Sequence, residues 1–179
     1  MRKVFRRGVA AIALTGALAL GACGYDPSAA GDQPAVDGEA PTVADPETAI
    51  TRASHLLADA EQLNRVVDDV LADDAVPGDV KSFAGELKGV LQQQLDRAGR
   101  YAAGGSSMMT EDEVNGVIDA SGDGAAAAFG EVARMQLPRL AFSWGQLTEA
   151  GEDDIAEVAR DTAPQLEDLA QRAAELPGN

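Results

Sequence analysis

The sequence predicts an all-α protein whose folded part is a four-helix bundle, made of two helical hairpins joined by a short connecting helix. Aromatic residues make up only 4% of the 179 residues, so the core must be Leu, Val, Ile and Ala packed closely, as between helices. Apolar residues recur every three or four positions from residue 49 onward, which is the period of an amphipathic helix. The pattern Asp-Val-x-x-Phe-Ala at 79–84 recurs as Asp-Ile-x-x-Val-Ala at 154–159, which predicts two related hairpins.

Local signals predict the boundaries of the first hairpin. Asp45 is a good N-cap and Pro46 suits the first helical position, so the first helix should begin there and end near Asp73. Residues 76–79 form a turn, and Asp79 is expected to cap the second helix. The Gly- and Ser-rich stretch 103–107 should end that helix.

The second half opens with a capping box, in which Thr110 is the cap and Glu113 lies three residues later. A short helix should follow. The third long helix is expected from about Ala125, with a kink at Pro138 because proline removes one helical hydrogen bond. Residues 149–154 read as a turn and cap, and a last helix with Pro164 inside it follows.

The N-terminus has the organisation of an export signal. Residues 1–7 are basic and residues 8–20 are apolar, which is too short for a membrane span of about 20 residues. The following Leu20-Gly21-Ala22-Cys23 resembles the bacterial lipobox, and Cys23 is the only cysteine in the chain. The resemblance implies cleavage between Ala22 and Cys23 and attachment of acyl chains, palmitate among them, to Cys23. An ordinary secretory signal with a chance cysteine is the alternative.

Three regions follow from these patterns: a lipoprotein signal peptide at 1–22, a lipidated flexible tether at 23–45, and the helical bundle domain at 46–179. The tether is rich in Pro, Gly, Asp and Ala, and its apolar residues do not recur with a helical period. This composition is typical of a flexible segment. Two or three acyl chains give durable anchoring. The expected location is therefore the extracytoplasmic face of a cell membrane.

The charge of the chain limits its partners. The formal net charge is -16, and removal of residues 1–22 takes away four basic residues and no acidic one, leaving -20. Nucleic acid is excluded as a partner because phosphate binding needs a basic surface. The membrane is a partner only through the lipid on Cys23. A protein partner or a cation at the envelope is consistent with the charge.

Two short motifs support a further resemblance. The segment Met-Met-Thr-Glu-Asp-Glu at 108–113 and Phe-Gly-Glu at 129–131 are similar to motifs of exported, ferritin-like bacterial domains of unknown function. Members of that family carry paired histidines, and several are linked by context to copper or other metals. The resemblance covers roughly residues 48–175. Its histidine pairs would fall near residues 59–60 and at 136–137, where this chain has Asp-Ala and Gln-Leu. The resemblance thus implies a degenerate member that keeps the bundle and lacks those histidines.

No catalytic residue and no cofactor are predicted. His55 is the only histidine, so neither Glu-x-x-His nor a zinc ligand set occurs, and it should be a surface or partly packed residue. Met108 and Met109 are weak candidates for Cu(I), against packing or an exposed turn. The acidic clusters lie at predicted helix starts, where they cap helices, and no EF-hand spacing is present.

Two packing expectations concern polar and aromatic residues. Phe142 and Trp144 should fill one end of the bundle, or line a groove there. One side chain of the run Gln92–Gln94 should face the core and pair with Gln136 or Asn64, since buried polar groups need partners.

Together these features predict a lipid-anchored envelope protein that is not an enzyme and that binds or scaffolds an unknown ligand. The alternative is a metal-handling ferritin-like lipoprotein that binds copper or another cation through methionines and carboxylates.

Replacing Cys23 with Ala should release the protein from membranes, because the thiol that accepts the lipid is lost. Cell fractionation with detergent phase partitioning measures this. Ser28→Ala removes one polar atom from the same segment and should leave the protein in the membrane fraction. If the Cys23→Ala protein still fractionates with membranes, the lipobox interpretation is wrong.

Overall fold

Five α-helices make up the regular structure of the part of the chain that the structure describes. This structure, a computed structural model, describes Thr42 and residues 44–178. Cys23, the predicted signal peptide and most of the predicted tether lie outside the described residues. The helices are α1 (Pro46–Ala72), α2 (Gly78–Ala98), α3 (Glu111–Ile118), α4 (Gly122–Gly145) and α5 (Asp153–Ala173). A single 3₁₀ turn, Gly99–Tyr101, follows α2, and residues 44–178 contain no strand. The predicted all-α class is confirmed.

The helices pack around one apolar core. The most extensive packing is between α4 and α5 and between α1 and α2; α2 also contacts α5, and α3 lies against α1 and α4. Leu, Val and Ala supply most of the core, with Trp144 and Phe129 as its largest fully buried side chains. The rings of Phe83 and Phe129 meet edge to face, with centroids 6.1 Å apart. None of the described helices has the length and apolarity needed to cross a membrane.

Two of the predicted helix caps are confirmed. The side chain of Asp45 accepts a hydrogen bond from the backbone of Glu47, and Pro46 is the first helical residue of α1. Thr110 and Glu113 form the full capping box of α3, each side chain accepting from the other's backbone N–H. Short-range signals therefore fix these two helix starts.

Two other helices begin earlier than the sequence predicts. Asp79 is not the cap of α2, since the helix begins at Gly78 after an extended Pro77 and Asp79 lies in its first turn. The α4 helix begins at Gly122 rather than near Ala125. The cause is a contact distant in sequence, because the carboxylate of Asp73 accepts the Gly122 N–H at 2.7 Å. That bond and a second one to the Ala75 N–H lower the pKa of Asp73.

The prediction that Phe142 and Trp144 together fill one end of the core is wrong for Phe142. Trp144 is fully buried, whereas Phe142 is 70% exposed. Residues two apart on an α-helix point about 200° away from each other, so α4 cannot turn both side chains to the same core. The α4 and α5 helices continue through Pro138 and Pro164.

Gln94 is the inward-facing member of the Gln92–Gln94 run, as predicted, but its expected pairing is wrong. Its side chain is fully buried, and neither polar atom has a hydrogen-bond partner among the described residues. Gln136 bonds other groups instead, and the Oδ1 of Asn64 is also buried without a partner. Gln94 is thus a polar side chain held in the core by its apolar neighbours.

Replacing Gln94 with Met should stabilise the protein by about 1 kcal/mol or more, because it removes a desolvated amide while keeping the length of the side chain. Urea unfolding followed by helical circular dichroism measures the change. Gln92→Met, at an exposed position of the same run, should change stability by less than about 0.5 kcal/mol. A loss of stability in Gln94→Met would mean that the folded protein does satisfy this amide.

Candidate functional site

The α1 helix presents two polar side chains, His55 and Asp59, one turn apart and therefore on the same face. Both contact the connection between α2 and α3. The Nδ1 atom of His55 accepts a hydrogen bond from the backbone N–H of Ser106 at 3.1 Å. His55 is half-buried, which agrees with the prediction of a partly packed residue.

Asp59 is the buried centre of this region, with 1% of its surface exposed. Its Oδ1 atom accepts hydrogen bonds from the Ser107 hydroxyl at 2.7 Å and from the Met108 backbone N–H at 2.6 Å. Two consecutive residues of the connection are thereby fixed to α1. Gly105 allows the approach, because a Cβ atom there would overlap the backbone carbonyl of Ser54.

Arg139 links Asp59 to α4. Its Nη2 atom donates to the Oδ2 of Asp59 at 2.9 Å and to the Oε1 of Gln136 at 2.6 Å, and its Nε atom donates to the same Gln136 oxygen at 3.1 Å. Gln136 is buried and lies one turn before Arg139 on α4. The guanidinium is thus held between a carboxylate on α1 and an amide on its own helix.

Glu113 extends the polar chain to α3. Its Oε1 atom accepts a hydrogen bond from the Gln136 amide at 2.9 Å, and its Oε2 atom accepts from the Thr110 backbone N–H at 2.6 Å. The Thr110 N–H, and less strongly the bonds to the Thr110 hydroxyl and Gln136, lower the pKa of Glu113, against the opposing effect of burial. Glu113 is therefore an anion at neutral pH.

We call these four residues, Asp59, Arg139, Gln136 and Glu113, the polar centre. It joins α1, α4 and α3 through side chains that bond one another. Two of its members, Asp59 and Gln136, stand at the positions where the family resemblance places histidine pairs, and both bond the same Nη2 atom of Arg139. A metal cation does not fit here, because the guanidinium already supplies the positive charge between these oxygens.

The sequence predicts individual members of the polar centre but not their bonds to one another. Glu113 is predicted as a cap, Gln136 as a partner for one side chain of the Gln92–Gln94 run, and Asp59 and Gln136 as the places of the family's histidine pairs, whereas Arg139 is not singled out. One signal was available: Arg139 is a charged residue within the apolar stretch of α4. Its partner on α1 was not deducible, because Asp59 lies 80 residues away in sequence.

The two candidate copper-binding methionines point to different places. Met108 is 68% exposed and lines a groove with His55 and Phe142, whereas Met109 is 7% exposed and packs against the core. Their thioethers therefore do not face one shared position. The described residues hold no cluster of three or more His, Cys, Asp or Glu side chains placed to bind a metal ion.

Phe142 separates two grooves on the surface. The larger, about 730 Å³, runs between α4 and α5 and is lined mainly by small and apolar residues, with Glu167 as its one charged residue. The smaller, about 370 Å³, contains His55 and Met108. Among the large apolar side chains of the described residues, Phe142 is the most exposed, and it lies between the two grooves.

No protein-family model, curated protein or solved structure matches this chain.

The chemical role of the polar centre follows from its hydrogen bonds. Both carboxylates accept hydrogen bonds from neighbouring groups, and the guanidinium is shared between two oxygens. This arrangement fixes three helices and the connection between α2 and α3.

Replacing Arg139 with Met should cost about 3–5 kcal/mol of stability, because the Asp59 carboxylate would remain buried without its ionic partner. The double variant Asp59→Leu with Arg139→Met should recover a large part of that loss. Urea unfolding curves of the single and double variants measure both effects.

Arg65→Met is the matched control, since Arg65 is exposed and its side chain bonds Gln62 and no other group among residues 44–178. It should change stability by less than about 0.5 kcal/mol. Equal losses in Arg139→Met and Arg65→Met would contradict the role given to the ion pair.

Proposed function

We propose that this protein is a lipid-anchored, non-enzymatic binding or scaffolding domain at the extracytoplasmic face of a bacterial cell membrane. Cys23 would carry the acyl chains after cleavage at Ala22. The sequence Leu20-Gly21-Ala22-Cys23 supports the anchoring, and the polar centre supports the non-enzymatic part of the proposal. Its ionic and amide groups bond one another, so the surface offered to partners lies elsewhere, around the exposed Phe142.

The finer fold belongs to the same proposal: a ferritin-like four-helix bundle in which α1–α2 and α4–α5 are the two hairpins and α3 connects them. Cross-helix contacts support it. Lys81 pairs with Asp74, and Lys88, further along α2, pairs with Asp68, which is earlier in the chain. These two pairs are those of antiparallel helices. The same antiparallel arrangement relates α4 to α5, because Arg134 donates to Leu176 while Arg160 donates to Thr148, just after α4.

A degenerate relation to the ferritin-like family with paired histidines would account for the polar centre. In such a chain, the positions of two ligand pairs would have been taken by Asp59 and Gln136, and an internal cation, Arg139, would hold the helices together. The contacts of these three residues support that history, since they join α1 and α4 at one point.

Metal handling is the second candidate. The observation in its favour is that Met108 and His55 line one groove, because Cu(I) accepts thioether and imidazole ligands. Arg52 lines the same groove and adds positive charge beside it, which disfavours a cation.

Titration with Cu(I), Zn²⁺ and Ca²⁺ separates the two proposals. For a binding or scaffolding domain, calorimetry should detect no tight stoichiometric binding of any of the three. Metal handling predicts a Cu(I) site that Met108→Ala and His55→Ala abolish. Met109→Ala is the matched control, since Met109 does not line the groove. A tight site with that mutational pattern would overturn the scaffolding proposal.

A further inference from the structure

We propose that the groove between α4 and α5 docks a basic amphipathic helix of a protein partner, with Phe142 as the central apolar contact. This inference rests on the proposed function as a binding domain and names the chemistry of its partner.

The shape of the groove fits a helix. On α4 it is lined from Pro138 to Gly145, which is about two turns or 10 Å of helix. Small residues on both walls, among them Ala141 and Ala163, let a third backbone approach closely. An amphipathic helix in such a groove places side chains at i, i+3, i+4 and i+7 against it.

The groove carries one charged group. Glu167 is the charged residue of its lining, and the amide side chains of Gln146 and Gln171, which can both donate and accept, are its other polar side chains. A carboxylate at an apolar groove suits a Lys or Arg side chain at the edge of the docked helix.

The charge of the domain selects a cationic partner. Four of the 14 basic and four of the 30 acidic residues of the chain precede residue 44, which leaves 10 basic and 26 acidic residues in 44–178. Six of those 10 basic side chains are in ion pairs within the domain. None of the 10 lines the groove. A second copy of this chain would bring the same negative charge, so it is disfavoured as the occupant.

The test uses a labelled peptide of Leu and Lys, about 15 residues long and patterned as an amphipathic helix. A second peptide carries Glu in place of Lys. Fluorescence anisotropy measures their binding to the full chain carrying Cys23→Ala, which removes the acyl chains that would themselves bind the peptide. The Lys peptide should bind and the Glu peptide should not.

The variants locate the binding. Phe142→Ala should weaken the binding of the Lys peptide at least about tenfold, as expected for a central aromatic contact. Phe142 is 70% exposed, so this variant should fold, and its circular dichroism spectrum checks that. Glu167→Gln should weaken binding by a few-fold and reduce its salt dependence. Glu61→Gln removes an equal charge at an exposed position of α1 outside the groove and should change nothing.

Four outcomes overturn the inference. Lys-peptide binding that does not change in Phe142→Ala would be non-specific attraction to an acidic protein. Self-association of the chain without peptide, abolished by Phe142→Ala, would make a second copy the occupant. Binding of an N-acetylglucosamine oligomer that depends on Phe142 would make the groove a glycan site. Absence of any binding overturns the partner class alone, because lipid anchoring is measured separately by fractionation of Cys23→Ala.

Discussion

The carboxylate of Asp59 adds directional bonds to parts of the chain that the apolar core also brings together. It accepts hydrogen bonds from Ser107 and Met108 in the connection between α2 and α3, and from the guanidinium of Arg139 on α4. Since Asp59 is buried, these bonds form without competition from water, and each would leave a desolvated charge if it broke. Asp59 thus fixes the connection at Ser107 and Met108, beside the bond from Ser106 to His55, while Glu113 attaches α3 through Gln136.

The helices and their short-range caps follow from local chemistry, and that part of the structure is deducible from the sequence. The apolar period gives α1, α2 and α5, and the Thr110–Glu113 capping box acts across three residues. The start of α4 is not local in this sense. The start at Gly122 depends on Asp73, which is 49 residues away and belongs to the end of α1. The pattern of apolar and capping residues near Gly122 gives no indication of its hydrogen bond to Asp73.

The polar centre and the exposed aromatic are missed for the same physical reason. Hydrophobicity predicts that Phe142 is buried and that Arg139 is exposed, whereas Phe142 is exposed and the Arg139 side chain is largely covered, with 29% of its surface exposed. Arg139 lies inward because Asp59 and Gln136 solvate its guanidinium. Phe142 lies outward because Trp144, two residues later on the opposite side of α4, already occupies the core. The exposure of each side chain is therefore decided by the residues that pack beside it, and the spacing of residues along the sequence does not identify those neighbours.

The junction at which the chain enters the helical domain also has a mechanical consequence. Gly151, in the turn between α4 and α5, lacks a side chain where the carbonyl of Ala44 lies, and the backbone of Asp45 donates to Thr42 just before α1. A pulling force applied ahead of Thr42 thus enters the domain at the start of α1, where the backbone passes directly beside the turn between α4 and α5. A side chain at position 151 would displace that point of entry, so the absence of a side chain at Gly151 sets where such a load meets the domain.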